Sequence, residues 1–536
     1  MTAYTFQQLI NFTRTTSGTF VGSNGLVQTT PQSRNLVLWT QEIDNGYWNK
    51  LSGGVAASAT TFNFASTSGS GFENSSAATV SAGTSVVASF LASGSGTIQI
   101  GIVDASGAFG GTYATVVLTA TPTRYSVQRT LVDNNCLLRV RNTSGVAVTG
   151  ATCTQLQLEV GSVASDYTRN VGGLFPPRFD YDPVTLAPRG ILIEEQRTNL
   201  QIYSEQFEVA PWVRTNLSTV TANSSAAPNG TMTADLLVSA VGAGITGIAI
   251  TSFSFSALTY TQSVFVKAAT GVRYIQLLYT SGTTSSDYAN FDLQTGTVAG
   301  GVYSSASMTN FGNGWYRISM TSIATAFTSG VWIIAVPAAN SVRGAAYTGN
   351  GTDSFLVWGA QLEAGAFATS YIPTVASQVT RTADQASIVA PMFAPWYNQT
   401  AGTFVFEGTA LAASGFAWPL SASAGSAANA VSMYRSGAFV AGFIASSGTT
   451  QLEITSSPVV ANVPYKAAVT AETNNGNFSF NGNIGTNDTT ITMPTVSRLS
   501  LGANAAGSAE FLNGHIRRIT FYPVRLSNTQ LQALTA

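Results

Sequence analysis

Short runs of alternating hydrophobic and polar residues recur along this chain, separated by clusters of Gly, Ser and Asn. Examples lie at residues 85–91, 97–103, 260–267 and 315–320. Alternation with a period of two is typical of strands that bury one face, and the intervening clusters are typical of turns. Many short strands at regular spacing predict an all-β chain built of antiparallel sandwiches.

Local signals mark individual elements within this pattern. Asn24-Gly25 and Asn481-Gly482 each stand between apolar runs. Because Asn-Gly favours the two-residue turn of a hairpin, both sites are predicted hairpins. Ser527 and Gln530 have the spacing of a capping box, which predicts one short C-terminal helix.

One signature occurs twice in the chain. Asn35 precedes Trp48 by the same number of residues that separate Asn199 from Trp212. The closing segments also match, since residues 157–161 and 361–365 both read Gln-Leu-Glu-X-Gly, and a tyrosine follows each at equal spacing. Matched openings and closings predict two copies of one sandwich, in which Trp48 corresponds to Trp212 and Tyr167 to Tyr371.

These signals divide the chain into six predicted segments. In order, they are an N-terminal extended arm at 1–34, a first module at 35–171, a connector at 172–198, a second module at 199–375, a linker at 376–400 and a C-terminal sandwich at 401–536. A length of 536 residues is enough for each module to bury its own core.

Composition excludes several classes of function. Only 9% of the residues are charged, three lysines occur and the net charge is −1, so nucleic-acid binding through phosphate contacts is not expected. Since 45% of the residues are hydrophobic, low charge does not predict disorder. No run approaches the length of a membrane span, and residues 1–4 lack the start of a secretory signal, so neither membrane insertion nor secretion is expected.

Three patterns together resemble bacteriophage virion proteins. They are the arm Phe12-Thr13-Arg14 with Asn24-Gly25, the connector residues 177–183 and 189–200, and the opening at 203–212. The resemblance implies a cassette of arm, connector and a jelly-roll module similar to carbohydrate-binding modules. Here the first module is inserted between arm and connector, which leaves open whether the arm packs on the connector or on another virion protein.

The C-terminal segment is similar to concanavalin A-like and laminin G-like sandwiches. The similarity rests on Leu501-Gly502, residues 511–517 and residues 519–522. The expected fold is therefore an extended arm, two jelly-roll-like β-sandwiches and a C-terminal concanavalin A-like β-sandwich with one short helix.

The resemblance implies a structural, non-enzymatic protein on the surface of a phage particle, synthesised in the host cytoplasm. As a fibre, spike or capsid decoration protein, it would join other virion proteins through its arm and contact host surface polysaccharide. A homo-oligomer is implied in the same way. Two alternatives stay open: a polysaccharide depolymerase that uses a carboxylate pair, and a purely architectural capsid cement protein.

Candidate catalytic groups are few, and no catalytic residue is expected. His515 is the single histidine. The resemblance to concanavalin A-like and laminin G-like sandwiches implies that this position belongs to a strand turn, and a structural role is expected. Asp180 and Asp182 could share a face if their segment is extended, as a glycosidase pair requires, but Asp182-Pro183 is also an ordinary turn start. Glu194 and Glu195 would point to opposite faces of a strand.

Aromatic rings are the natural groups for stacking on sugars. Because Trp48 and Trp212 recur, they are expected in the cores. Trp396, Tyr397 and Trp418 match nothing in the repeat and are the candidate ligand-binding residues.

The repeated glutamates and the two cysteines complete the candidates. Glu159 and Glu363 recur at the module ends, where each could hold a structural calcium ion with backbone carbonyls; no other cofactor is expected. Cys136 and Cys153 are expected to be reduced and buried, with a disulfide left open.

Overall fold

The structure is a computed structural model that describes residues 9–30, 35–106, 110–165, 167, 170, 175–279, 287–324, 327–390, 392–412 and 415–536. Forty-two β-strands and one short helix lie within this part of the chain. The prediction of an all-β chain of antiparallel sandwiches with one short C-terminal helix is confirmed. Among the described residues, no helix has both the length and the apolar character needed to cross a membrane.

The strands of the arm and the first module are β1 (Asn11–Thr13), β2 (Thr19–Val21), β3 (Val27–Thr29), β4 (Trp48–Leu51), β5 (Val55–Ala56), β6 (Thr61–Phe64), β7 (Gly71–Asn74), β8 (Ser85–Ser93), β9 (Gly96–Asp104), β10 (Gly111–Leu118), β11 (Thr123–Thr130), β12 (Cys136–Arg141) and β13 (Val148–Val160).

The strands of the connector and the second module are β14 (Arg178–Tyr181), β15 (Pro188–Ile193), β16 (Arg197–Asn199), β17 (Val213–Thr215), β18 (Leu217–Ala226), β19 (Met232–Ser239), β20 (Val241–Gly244), β21 (Thr246–Phe255), β22 (Thr259–Thr270), β23 (Tyr274–Tyr279), β24 (Tyr288–Asp292), β25 (Thr297–Val302), β26 (Ser305–Asn310), β27 (Trp315–Ile323), β28 (Phe327–Val336), β29 (Tyr347–Asn350) and β30 (Ser354–Ala364).

The remaining elements are β31 (Val379–Arg381), β32 (Gln385–Ile388), β33 (Ala401–Ala410), β34 (Phe416–Ser423), β35 (Ala430–Ser436), β36 (Phe439–Ser446), β37 (Thr449–Pro458), β38 (Tyr465–Glu472), β39 (Asn475–Phe480), β40 (Asn483–Ile484), β41 (Arg498–Leu501), β42 (Gly514–Tyr522) and helix α1 (Asn528–Thr535).

One compact unit comprises Met1–Thr15, Pro31–Pro176 and Gln385–Met392. It contains two five-stranded sheets, β10-β9-β12-β7-β4 and β11-β8-β13-β6-β5, and β1 pairs with β32. Buried side chains from both sheets, among them Trp48, Phe72 and Phe90, form one hydrophobic core. This is the sandwich that the alternating runs predict for the first module.

The two cysteines lie inside this core on different sheets. Cys136 is on β12 and Cys153 is on β13, and both are free and fully buried. Burial raises the pKa of each thiol to about 12, so neither is a reactive thiolate at neutral pH. The expectation of two reduced, buried thiols is confirmed.

The other compact unit comprises Thr16–Thr30, Pro177–Asp384 and Phe393–Ala536. The second module supplies two six-stranded sheets, β17-β21-β28-β23-β24-β25 and β18-β19-β30-β22-β27-β26. The C-terminal sandwich supplies β33, β38, β39, β40 and β42 to one sheet and the run β41-β34-β35-β36-β37 to another. The boundaries proposed from the sequence stay predictions.

The connector forms part of a C-terminal sheet. Its hairpin β14-β15 extends this sheet, because β15 pairs with β42 and sets Leu192 opposite His515. Gly190 makes this pairing possible: its φ is +107°, and a Cβ there would lie 2.2 Å from the Ile516 carbonyl oxygen. The chain thus joins residues that are more than 300 positions apart.

Residues 16–30 of the arm pack against the same hairpin. The Val21 N–H donates to Asp180 Oδ1 at 2.6 Å, and Arg178 donates to the Thr19 carbonyl at 3.0 Å. The Thr19 hydroxyl also donates to the carbonyl of Tyr371 at 2.5 Å. This segment therefore packs on the connector and on the second module, and attachment of the arm to other virion proteins stays a prediction. Residues 1–8, including the apolar run 4–6, lie outside the described residues.

The repeated tryptophans occupy equivalent positions in the two modules. Trp48 Nε1 donates to the Trp39 carbonyl at 3.0 Å, and Trp212 Nε1 donates to the Tyr203 carbonyl at 2.9 Å. Both acceptor residues have a φ of 52°. Both tryptophans are buried, as their recurrence predicts.

The openings and closings of the modules are tied by matching hydrogen bonds. Asn35 Oδ1 accepts from the Leu158 N–H at 3.2 Å, and Asn199 Oδ1 accepts from the Leu362 N–H at 3.1 Å. The Tyr167 and Tyr371 hydroxyls likewise bond to hydroxyl groups of the opening segments, at 2.5 and 2.6 Å. The sequence repeat therefore corresponds to one repeated set of contacts.

The local signals are confirmed as well. Asn24-Gly25 connects β2 to β3, and Asn481-Gly482 connects β39 to β40 with φ values of 44° and 78°. Ser527 caps α1 through a capping box with Gln530.

Candidate functional site

A cavity of about 520 Å³ lies within the unit that contains the second module and the C-terminal sandwich. Its floor is formed by alternate residues of β26 and β27, namely Ser305, Ser307, Thr309, Arg317, Ser319 and Thr321. Alternate residues share one face of a strand, so the intervening residues Ile318 and Met320 point into the core. The alternating sequence therefore gives these strands a polar face toward the cavity and an apolar face toward the core.

The floor is a ladder of hydroxyl groups. Across the strands, Ser305 pairs with Thr321 and Ser307 with Ser319. The Ser307 and Ser319 oxygens lie 2.7 Å apart, and the hydroxyl of Thr321 lies 2.8 Å from that of Thr261 on β22. A hydroxyl both donates and accepts, so these groups can bond to one another and to hydroxyls of a ligand.

Aromatic rings form part of the cavity wall. Phe20 comes from the arm, Phe265 from β22, and Phe311 from the turn between β26 and β27. The rings of Phe265 and Phe311 meet edge to face with centroids 4.9 Å apart, and Phe265 also contacts Tyr371 at 6.1 Å. The half-buried Phe20 and Phe311 keep part of their ring surface available.

Arg317 is the cation of the cavity floor. It donates to the Thr369 carbonyl at 2.7 Å and to the Ser263 hydroxyl at 3.0 Å, and its guanidinium lies over the ring of Phe265. Burial lowers the pKa of Arg317, against the opposing effect of the Glu363 carboxylate. The alternation of 315–320 predicts the direction of this side chain, but nothing in the sequence indicates that a cavity forms above it.

His515 and Asp180 both line the cavity and are in contact with each other. His515 Nε2 lies 2.7 Å from Asp180 Oδ2, and its Nδ1 lies 3.0 Å from the Thr409 hydroxyl. His515 is 3% exposed. The prediction that it lies at a strand turn is wrong, because it belongs to β42, where the connector strand β15 pairs with it. Its contacts fix the connector to the sandwich, in keeping with the structural role predicted.

Asp180 and Asp182 do not form a carboxylate pair over the cavity. Asp182 accepts from the Val184 and Thr185 N–H groups and pairs with Arg189 at 2.8 Å, outside the cavity lining. Backbone hydrogen bonds from Thr185 and Val184, with the Arg189 side chain, lower the pKa of Asp182 to about 2, against the opposing effect of burial. A register shift follows Asp180, and β14 ends at Tyr181, so Asp182 lies in the turn after the strand. Asp182 is the turn residue that Asp182-Pro183 indicates.

Four fully buried charges lie beside the cavity. Glu194 pairs with Arg178 at 2.8 Å and with Arg381 at 3.4 Å, and Arg178 also pairs with Asp384. The Ser370 N–H and hydroxyl donate to Glu194 at 2.8 and 2.7 Å. Although burial opposes it, the two arginines hold the pKa of Glu194 well below its usual range. The sequence shows these residues but gives no signal that they pair.

Glu159 is held entirely by hydrogen-bond donors. The Gln157 side-chain amide donates to Oε1 at 2.7 Å, and the Ser165 N–H and hydroxyl donate to the two oxygens at 2.8 and 2.6 Å. Calcium instead requires six to eight oxygen ligands around the ion. This donor set does not fit calcium.

Glu363 repeats the same arrangement in the second module. Gln361 donates to it at 2.8 Å, and the Thr369 N–H and hydroxyl donate at 2.8 and 2.7 Å. Among the described residues, no group of three or more His, Cys, Asp or Glu is placed to hold a metal ion. The repeated glutamates therefore tie the closing turn of each module to its last strand.

Trp396 and Tyr397 lie half-buried in an aromatic cluster of the C-terminal sandwich. Tyr397 stacks on Phe393 with centroids 4.7 Å apart, and Trp396 meets Phe521 at 5.3 Å. Burial raises the pKa of Tyr397. Neither residue lines the cavity.

Trp418 is 6% exposed, so it offers little surface for stacking on a sugar. Its Nε1 donates to Glu510 Oε2 at 2.8 Å. The neighbouring Phe416 is 43% exposed and stacks on Tyr434 at 5.1 Å. The exposed ring at this place is therefore Phe416, which the sequence did not single out.

Comparisons with known proteins give structural likenesses only. No family model and no curated protein matches the chain. A carbohydrate-binding module, CBM40, of the Ruminococcus gnavus IT-sialidase bound to α2,3-sialyllactose has 20% identity and a TM-score of 0.24, covering 27% of this chain and 89% of that one.

Two further solved structures span more of the chain. The CBM22-1–CBM22-2 tandem of Paenibacillus barcinonensis Xyn10C has 14% identity and a TM-score of 0.23, covering 63% of this chain and 99% of that one. Domains LG4-5 of the mouse laminin α1 chain have 10% identity and a TM-score of 0.20, covering 53% and 87%. At such TM-scores these likenesses carry no argument, and the all-β fold rests on the strands themselves.

Proposed function

We propose that this chain is a non-enzymatic carbohydrate-binding protein displayed on a bacteriophage virion, as a fibre, spike or capsid decoration protein. The cavity whose floor is formed by β26 and β27 is its proposed binding site for host surface polysaccharide. The observation that carries the proposal is the hydroxyl ladder of β26 and β27 beside the rings of Phe20 and Phe311.

The chemistry of the cavity suits a sugar. Flat rings pack on the C–H face of a pyranose, and hydroxyl side chains exchange hydrogen bonds with its hydroxyls. A volume of about 520 Å³ lies within the range of small-molecule sites, about 300 to 1,000 Å³. One or two sugar rings of a longer polysaccharide would fill it.

The carboxylates near the cavity support binding rather than hydrolysis. A glycosidase needs one carboxylic acid with a raised pKa and a second free carboxylate. Asp180 is engaged by His515 and the Val21 N–H, and two arginines lower the pKa of Glu194. Neither group is set up as a general acid.

The virion setting is proposed from the resemblance of the arm and connector to phage cassettes. Because residues 16–30 pack on the connector, attachment to other virion proteins is assigned to the residues before them. A homo-oligomer on the particle is part of the same proposal.

The experiment measures the binding of the purified full-length chain to capsule and lipopolysaccharide of the host. Binding measured by calorimetry should weaken by up to about tenfold in Phe311→Ala, because a stacked aromatic ring contributes about 0.5 to 1.5 kcal/mol. Phe416→Ala removes an exposed ring outside the cavity and is the matched control. Equal loss in both variants, or no binding to any host polysaccharide, would contradict the proposal, and release of reducing sugar would favour the depolymerase.

A further inference from the structure

Arg317 carries a positive charge that the described residues do not neutralise by a direct ion pair. Its two hydrogen bonds go to a carbonyl and a hydroxyl, at Thr369 and Ser263. A guanidinium has five N–H donors. Each of its two terminal nitrogens uses one of its two N–H bonds on the protein and keeps the other.

The other charged groups in the cavity wall already have partners. Arg189 pairs with Asp182; Asp180 with His515; and Glu194 with Arg178 and Arg381. The Glu363 carboxylate is near enough to act on Arg317 through space, but its hydrogen bonds come from Gln361 and Thr369. Within the described lining, the charge left for a ligand is that of Arg317.

We infer that the saccharide bound in this cavity is acidic, and that its carboxylate pairs with the guanidinium of Arg317. This inference rests on the proposed function and adds the class of sugar. Uronic acids and other carboxylated sugars belong to this class, whereas neutral hexoses do not.

The surroundings of Arg317 favour an anionic partner. A planar guanidinium matches a carboxylate in a two-bond fork, and charge-assisted hydrogen bonds are about twice as strong as neutral ones. The guanidinium itself is held in place by Thr369, Ser263 and the ring of Phe265, so little side-chain entropy is lost when an anion binds. Burial also disfavours the bare cation, and a carboxylate would relieve this cost.

Thr309 provides a way to test the charge without removing Arg317. It lies directly across the strand pair from Arg317, is exposed and lines the cavity. A glutamate at this position would offer Arg317 an internal carboxylate and compete with the ligand.

The experiment titrates alginate, polygalacturonate, hyaluronan and polysialic acid into the full-length chain by calorimetry. Each polymer is tested beside the same polymer with its carboxyl groups reduced to alcohols. The proteins are the parent, Arg317→Gln, Thr309→Glu and the control Arg273→Gln, which removes a partly exposed arginine paired with Asp292 outside the cavity. Thermal unfolding of every variant verifies the fold.

At least one acidic polymer should bind the parent about tenfold more tightly than its reduced form, the factor expected for one charge-assisted bond. Arg317→Gln and Thr309→Glu should abolish this preference, and Arg273→Gln should keep it.

A parent that binds acidic and reduced polymers equally, or a preference that survives Thr309→Glu, would overturn the inference and leave the proposed function standing. If the parent binds neutral host polysaccharide and none of the acidic polymers, the inference is likewise overturned and the proposed function still stands. No binding to any of these polymers or to host polysaccharide would overturn both.

Discussion

His515 Nε2 lies 2.7 Å from Asp180 Oδ2, although 335 positions separate the two residues along the chain. The contact joins the connector hairpin to β42 of the C-terminal sandwich. The other oxygen of the same carboxylate accepts the Val21 N–H of the arm. Three distant segments therefore meet at one buried aspartate.

Asp180→Asn should lower the free energy of unfolding by about 1 to 3 kcal/mol, because an amide cannot accept from both His515 and Val21 as the carboxylate does. Chemical denaturation measures the change. Asp182→Asn, at a partly exposed turn, is the control and should cost less. Equal losses would show that the buried contact adds nothing.

Glu194→Gln should destabilise the chain more strongly, by about 3 to 5 kcal/mol. It leaves Arg178 and Arg381 buried beside a single remaining carboxylate, that of Asp384. The half-buried neighbour Glu195 supplies the matched control as Glu195→Gln. An unfolding midpoint in Glu194→Gln equal to that of the control would show that the four charges do not act together.

The second module should become more stable as the pH is lowered from about 7 to about 5. Burial, with the nearby Glu208 carboxylate, raises the pKa of Asp235 from 3.8 to about 6. The folded state therefore holds a proton that the unfolded state releases, so stability is full below about pH 4 and is lost as the pH rises through about 6. Between pH 7 and pH 5 this shift corresponds to a gain of about 1 kcal/mol, a little under half of its total effect.

Denaturant midpoints measured across this window test the effect. Glu208→Gln should flatten the pH dependence, because it removes the neighbouring charge. Asp292→Asn should leave it unchanged, since Arg273 and backbone donors lower the pKa of Asp292 to about 2, outside the window. A parent that is less stable at pH 5 than at pH 7 would contradict the sign.

Two deletions distinguish the part of the arm that packs within the chain from the part that is proposed to attach to other virion proteins. Deleting residues 1–30 should lower the melting temperature, because Asp180 loses the Val21 N–H and Arg178 loses the Thr19 carbonyl as hydrogen-bond partners. Deleting residues 1–8, to which attachment is assigned, should keep the chain out of virions assembled in the host. Normal incorporation of the shorter deletion would place attachment elsewhere in the chain.

The sequence predicts those parts of the fold that depend on a few adjacent residues. Asn24-Gly25, Asn481-Gly482 and the Ser527 cap each act within one turn, so their elements follow from local chemistry. The module repeat is visible because the same contacts need the same residues at the same spacing.

The site depends on pairing between distant strands, which periodicity does not reveal. The sequence indicates Arg317 only as part of an alternating run, because the arm, the connector and the residues 366–371 that line the cavity with it lie far away along the chain. Trp418 and Phe416 show the same limit, because both belong to β34 and only the structure distinguishes the buried ring from the exposed one.

A crystal structure of the full-length chain with a bound host oligosaccharide tests the central claim most directly. We expect a sugar ring against Phe311, with hydroxyls within hydrogen-bond distance of Ser305 or Ser307 on the cavity floor. Sugar density confined to the rings of Phe416 and Tyr434, or to Trp396 and Tyr397, with the cavity above β26 and β27 left to solvent, would contradict it.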